Sequence, residues 1–179
     1  MTNRSILVAV GTFKDGFDAL VAAADEAAER LGLEGFAQIG GSRVVPRRLL
    51  WARWLPPDVL VERIRAARVV VVHGGVGLLG EAMRAGRPIV AVPRRGPTTA
   101  VNPAGDQLRF LRRLAERYPI VLCEDPQRIA TAIETALAGP SSILYPLGSD
   151  VPEIVAAYLR GRSLMAEFAR SAPTRPPSR

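Results

Sequence analysis

An α/β fold with a parallel sheet flanked by helices is the class this sequence predicts, and three observations predict it. Short apolar runs at residues 6–10, 69–72 and 89–92 read as strands buried on both faces. They alternate with longer stretches of helical periodicity, the clearest at residues 17–31. Glycine turns stand where a strand would hand over to a helix, Gly11 after the first run and Gly74, Gly75 and Gly77 after His73. With 179 residues the chain has room for one domain with a sizeable core, and 48% hydrophobic residues argue against disorder.

The elements follow in order. The first strand, 6–10, leads through Gly11, Thr12 and Phe13 to the helix 17–31, apolar at Leu20, Val21, Ala24, Ala27, Ala28 and Leu31, with Asp15 as a cap just outside it. Residues 36–39 read as the second strand, with Gly40 and Gly41 as its turn. A short strand at 49–55 carries Trp51 and Trp54, and Pro56, Pro57 and Asp58 open a helix to about residue 67. Four valines then form a buried strand that His73 ends. The glycines after it let backbone come close to a ligand because no Cβ stands in the way. Leu78, Leu79, Glu81, Ala82, Met83 and Ala85 are good helix formers, Gly86 offers a C-cap and Pro88 forbids continuation. After the strand 89–92, an arginine- and proline-punctuated loop, 93–105, is a natural lid or partner surface before the helix 106–117. Residues 119–122 are the last strand and 126–138 the last core helix. The domain is therefore expected over 1–139, with a helical appendage at 140–170 and a proline- and serine-rich, disordered tail at 171–179.

Composition narrows the function classes. One cysteine forms no internal disulfide, and Cys123 sits in an apolar run that reads as core; with a single histidine besides, metal and thiol chemistry are disfavoured. The net charge of +7 and pI of about 10.8 come almost wholly from arginine and suggest an anionic partner, whether nucleotide, nucleic acid or acidic lipid head groups. No aromatic-basic stacking motif supports nucleic acid. The apolar runs are broken well before the ~20 residues of a membrane span, and residues 1–5 lack a signal-peptide pattern, so a cytoplasmic chain is expected.

The candidate site is the turn after His73. A helix beginning directly after a glycine turn points unpaired N–H groups and the positive end of its dipole at whatever sits above, which favours a phosphate. Glu81 can face the same crevice and accept hydrogen bonds from a diol such as ribose, or it can simply complement the dipole.

The order His73-Gly74-Gly75-x-Gly77 with Glu81 following, then Gly86-x-Pro88, a strand ending Val92-Pro93-Arg94, and later Asp106-Gln107, resembles the nucleotide-sugar site of GT-B glycosyltransferases. The nearest likeness is to the carboxy-terminal, donor-binding half of family 28. That family includes the membrane-associated N-acetylglucosaminyltransferase of peptidoglycan synthesis. It also includes the small donor-binding subunits of split enzymes in exopolysaccharide and dolichol-linked oligosaccharide synthesis. The opening V-G-T-x-x-x-x-F-D-x-L-V from Val10 is similar to the split type, and a likeness spanning residues 6 to about 137 leaves no room for an acceptor domain.

The resemblance implies a Rossmann-like half of a GT-B fold that binds a UDP-sugar. The chain would transfer a hexosyl group to a lipid-linked acceptor, together with a separate membrane-associated subunit that supplies the general base. It places the diphosphate at Gly11, Thr12, His73, Gly74, Gly75, Val76 and Gly77, the ribose at Glu81, the edge of the base at Trp54, Leu55 and Pro56, and the donor sugar at Asp106 and Gln107. Helix dipoles and N–H groups stabilise the departing diphosphate, so it implies no metal and no cofactor. A face left bare without the partner subunit can pair with a second copy. Each residue also has a plainer reading. Gly11 and Thr12 can form an ordinary turn, the tryptophans can be core or partner contacts, His73 can be a neutral ring satisfied by backbone, and Asp106 is a good first-turn residue.

Two departures stand out. Leu78 stands where the family usually has a small hydroxyl or other polar residue beside the phosphate, and the loop with Gly96, Pro97, Pro103 and Gly105 does not match closely. A rival reading comes from Gly75-x-Gly77-x-x-Gly80, literally the dinucleotide fingerprint, with Arg94 or Arg95 placed to meet the 2′-phosphate of NADP. A third is a non-enzymatic nucleotide-sugar sensor.

Overall fold

A computed structural model describes residues 5–95, 107–146 and 148. Six parallel strands form one sheet in the order β3-β2-β1-β4-β5-β6, where β1 is Ser5–Ala9, β2 Glu34–Gln38, β3 Leu50–Ala52, β4 Val69–His73, β5 Ile89–Val92 and β6 Val121–Leu122. Helices α1 (Asp18–Leu31), α2 (Pro57–Ala66), α3 (Val76–Arg84), α4 (Gln107–Arg117) and α5 (Ile129–Ala138) connect or follow them. The chain builds outward from β1 to β3 and then returns to lay β4 on the other side of β1. Loops leaving β1 and β4 therefore diverge to opposite faces, which opens a crevice at the carboxyl ends of those two strands.

Alternation along the strands fills two cores. Ile6, Val8, Val69 and Val71 meet Leu20, Val21 and Ala24 of α1 and Ile133 of α5, whereas Leu7, Ala9, Val70 and Val72 meet Ile64 of α2, Leu79 and Met83 of α3 and Leu111 of α4. All four valines are fully buried, as a strand covered on both faces requires. Each such burial stabilises by roughly 1.5–3 kcal/mol, so the strand that carries the site is among the most firmly held.

The structure corrects several boundaries. Asp15 does not cap α1: the helix starts at Asp18 behind Phe17, whose N–H donates to Ser42 Oγ at 2.8 Å. Asp18 turns instead to the loop after β2 and accepts the N–H groups of Arg43 and Val44 at 2.7 and 3.3 Å. A loop with unpaired donors thus outcompetes the helix's own N-terminus for that carboxylate. The third strand shrinks to three residues because it is an edge with β2 as its single neighbour. The last strand loses Pro119, which has no N–H for the ladder, and Ile120, whose N–H donates to Tyr118 O at 2.7 Å. The last helix opens with a 3₁₀ turn, Pro126–Arg128, where the Asp125 carboxylate accepts the Gln127 N–H at 3.0 Å.

The compact unit runs Met1–Tyr145. Beyond residue 139 the chain still contributes to it. Ile143 N–H donates to Gly86 O at 2.9 Å, and the Tyr145 hydroxyl, on a ring 5% exposed, donates to Arg87 O at 2.9 Å. The rest of the expected appendage and tail, residues 149–179, lies outside the described residues. No described helix is long and apolar enough to cross a membrane.

Candidate functional site

A cleft of about 720 Å³ opens where the topology places it, between the loops that leave β1 and β4. Gly11, Thr12, Phe13 and Lys14 line it from the first loop, and His73, Gly75, Gly77, Leu78 and Glu81 from the second. Gln38, Trp54, Leu55 and Leu60 complete the wall.

A buried glutamine and a half-buried arginine hold the first loop in place. Gln38 stands at the end of β2, 3% exposed, and its carboxamide grips the Gly11 peptide from both sides: Oε1 accepts the Gly11 N–H at 2.9 Å while Nε2 donates to Gly11 O at 3.0 Å and to Arg53 O at 2.8 Å. Gly11 takes φ +74°, and a Cβ there would lie 2.6 Å from His73 Nε2. Arg94, at the end of β5, reaches across the strand ends to donate to Val10 O at 2.7 Å and to Gly16 O, with its guanidinium over the Phe13 and Phe17 rings. Burial depresses its pKa, and Asp15 opposes that.

His73 occupies the centre. Its ring is wedged between the two loops, since a Cβ on Gly75 would come within 2.3 Å of Cε1. Burial and then the Arg94 charge lower its pKa to about 4, against a side-chain contact with Gln107 that raises it. The imidazole is therefore neutral at pH 7, and its Nδ1 is buried without a hydrogen-bond partner. Gly11 and Gly75 are bare for a reason internal to the chain, the room His73 needs. Gly77 is different: a Cβ added there would meet nothing within 4 Å, so no neighbour explains the missing side chain. Glycine in the first turn of α3 costs helix stability, and the space it leaves opens on the cleft.

Helix α3 starts behind Gly75 with no side-chain cap, and its first intrahelical donor is Leu79, which bonds Gly75 O at 3.1 Å. The N–H groups of Val76, Gly77 and Leu78 thus have no intrahelical acceptor. The first turn carries no acidic residue, so dipole complementation does not explain Glu81, which sits on the second turn, lines the cleft and accepts from Arg84 Nη2 at 2.5 Å.

The structure thus gathers Gly11, Thr12, Trp54, Leu55, His73, Gly75, Gly77 and Glu81 around one cleft. Others fall elsewhere. Gly74 faces Gln107, whose Cβ would be 3.0 Å from a Cβ at that glycine, and Val76 points to solvent, 71% exposed. Pro56 caps α2 outside the cleft wall. Gln107 abuts His73, yet its Oε1 accepts the Arg94 N–H at 2.8 Å, which assigns that oxygen to holding β5 against α4. Asp106 and the loop with Gly96, Pro97, Pro103 and Gly105 lie outside the described residues. Trp51 and Trp54 are not core, at 43% and 53% exposed.

Sequence reasoning missed Gln38 and Lys14. Gln38 is a lone polar residue inside an apolar strand, a signal in plain view. Lys14 is the chain's only lysine, and it stands beside Thr12 in the loop that faces the turn after His73. The expectation for Cys123 matches its surroundings: it is 4% exposed, its Sγ donates to Asp125 O at 3.0 Å, and burial raises its pKa. No group of three or more metal-ligating side chains occurs among the described residues.

Comparison with solved structures places this architecture in the Rossmann-like α/β class found in GT-B glycosyltransferases. The calicheamicin glycosyltransferase CalG4 superposes with a TM-score of 0.60 at 19% identity over 90% of this chain and 45% of that one. The glycosyltransferase VinC, solved in complex with dTDP, gives 0.55 at 19% over 78% and 35%. MurG of Acinetobacter baumannii gives 0.52 at 18% over 78% and 43%. The chain spans less than half the length of each of these structures. No family model and no curated protein matches the sequence.

Proposed function

We propose that this chain is the donor-binding part of an inverting hexosyltransferase of the family 28 type, acting on a UDP-sugar and a lipid-linked acceptor with a separate membrane-associated subunit. The observation that carries this reading is the cleft at the β1/β4 switch point, where a bare Gly77, the free N–H groups of α3, Lys14 and a neutral His73 converge. A diphosphate fits that set because the N–H groups, the helix dipole and one ammonium all stabilise negative charge. Its ribose would lie on Glu81 and its base along Trp54 and Leu55. The fold shared with glycosyltransferases, one of them solved with a nucleoside diphosphate, supports the same assignment.

In the reaction the acceptor hydroxyl oxygen attacks the anomeric carbon as its bond to the β-phosphate oxygen breaks. The acceptor proton passes to a base on the other subunit, and UDP leaves with the negative charge it gains. The residues of this chain bind and stabilise that departing charge. Positioning and electrostatics are their contribution.

The dinucleotide alternative loses its specific support. Arg94 is committed to Val10 and Gly16 carbonyls, Arg95 is paired with the Glu124 carboxylate at 3.5 Å, and Gly75-x-Gly77-x-x-Gly80 follows β4 rather than β1. Calorimetric titration with UDP, UDP-N-acetylglucosamine, UDP-glucuronate and NADPH tests the proposal. A uridine ligand should bind with micromolar to millimolar Kd, and Glu81→Ala should weaken it about tenfold, or ~1.4 kcal/mol. Binding of NADPH with silence from every uridine ligand would falsify the assignment.

A further inference from the structure

The edge of the sheet away from β6 carries a surface the cleft does not use. From Gly35 to Pro57 the sequence has no acidic residue, and outside the cleft wall this stretch holds Arg43, Arg47, Arg48, Arg53 and Trp51. Leu50 is 73% exposed, Val45 45% and Trp51 43%, so apolar side chains stand in solvent along β3 and the loop before it. The loop is not free to fold them away. Asp25 of α1 accepts backbone N–H groups from Arg47, Arg48 and Leu49 at 2.7–3.2 Å, and Asp18, seven residues and two turns earlier on the same helix face, accepts those of Arg43 and Val44. Pro46 and Leu49 are buried beneath it.

The two aspartates spend their hydrogen bonds on backbone, so they pin the segment while the guanidinium groups stay outward. Among the described residues the ion pairs involve Arg84, Arg95 and Arg112, and none involves Arg43, Arg47 or Arg48. Arg53 alone is turned inward, donating to Gly40 O and Ser42 O at 3.1 and 2.8 Å. What remains is a sheet edge with Leu50 and Trp51 exposed on alternate faces of β3, Val45 exposed in the loop before it, and unpaired arginines beside them. Unpaired positive charge beside exposed tryptophan and leucine matches the interface of an anionic bilayer, where indole and aliphatic groups enter the headgroup boundary and arginines meet phosphates. A three-residue edge strand offers few backbone groups for strand addition by a protein.

We infer that the β3 edge, through Val45, Arg47, Arg48, Leu50 and Trp51, is a docking surface for anionic phospholipid membranes. This goes beyond the donor-site reading and stands whether or not the cleft binds a UDP-sugar.

Co-sedimentation of the full chain with extruded vesicles tests it, using phosphatidylcholine alone and an equal mixture with phosphatidylglycerol. Binding should require the anionic lipid and weaken with salt. Arg47→Glu with Arg48→Glu, and separately Leu50→Ser with Trp51→Ser, should each lower partitioning by about tenfold or more. Circular dichroism and thermal melts confirm that the variants fold, which their exposed positions favour. The matched control is Arg109→Glu with Arg113→Glu on the exposed face of α4, the same change in net charge placed elsewhere. It should retain most of the binding. No binding to anionic vesicles, or an equal loss in the control, overturns the inference; the first result points to a protein on this edge and the second to net charge alone.

Discussion

At the scale of single residues, the informative contrast is between glycines that serve the chain and one that does not. Gly11 and Gly75 make room for His73, so replacing either displaces the ring. Gly77 makes room for nothing in the chain. Gly77→Ala should therefore raise stability to urea by up to about 1 kcal/mol while weakening uridine-nucleotide binding several-fold, a split that a purely structural glycine would not give. Lys14 should behave oppositely: Lys14→Gln leaves the melt unchanged but weakens UDP about tenfold and flattens the salt dependence of binding. For His73 the sign follows from its lowered pKa. The unfolded imidazole titrates near 6.5 and the folded one at about 4, so between these values the unfolded state takes up the proton first. Stability is thus lost as pH falls from about 6.5 to about 4, by roughly 3 kcal/mol, and nothing is lost above that window. Urea melts of the wild type and His73→Asn at pH 7.5 and 4.5 should show a smaller acid loss in the variant.

At the scale of elements, the site depends on how loops are tied to strand ends. Gln38 belongs to β2 yet fixes the turn after β1, and Arg94, just beyond β5, closes the same turn from the other side. Gln38→Ala removes two hydrogen bonds to Gly11 and one to Arg53 O and should cost about 2 kcal/mol in denaturant titration, with binding weakened because the loop carrying Thr12 and Lys14 loosens. Strands and helices were legible because burial imposes period on sequence: the valines of β4 and the apolar face of α1 announce themselves. Caps were less legible. Whether Asp18 serves its own helix or a loop twenty-five residues away depends on which donors the fold brings near.

At the scale of the whole molecule, the strand order turns local signals into a site. The turn after His73 reads from the sequence as an anion-binding helix start, and Gly11-Thr12 reads as a second glycine turn. Only the placement of β4 beside β1 makes them two walls of one cleft. The same return leaves β3 as an edge and so exposes Leu50 and Trp51, the tryptophan having been open between core and contact surface from the sequence alone. The sequence by itself determined the α/β class, the order of elements and the glycine turn after a buried strand, because periodicity and glycine are local constraints on backbone and burial. Tertiary structure alone decided that Gln38 grips Gly11, that Arg94 is spoken for, that Gln107 faces Gly74, and that Lys14 reaches the cleft. Those facts are pairings between residues far apart in the chain, fixed by which strands lie side by side, and no local pattern encodes them.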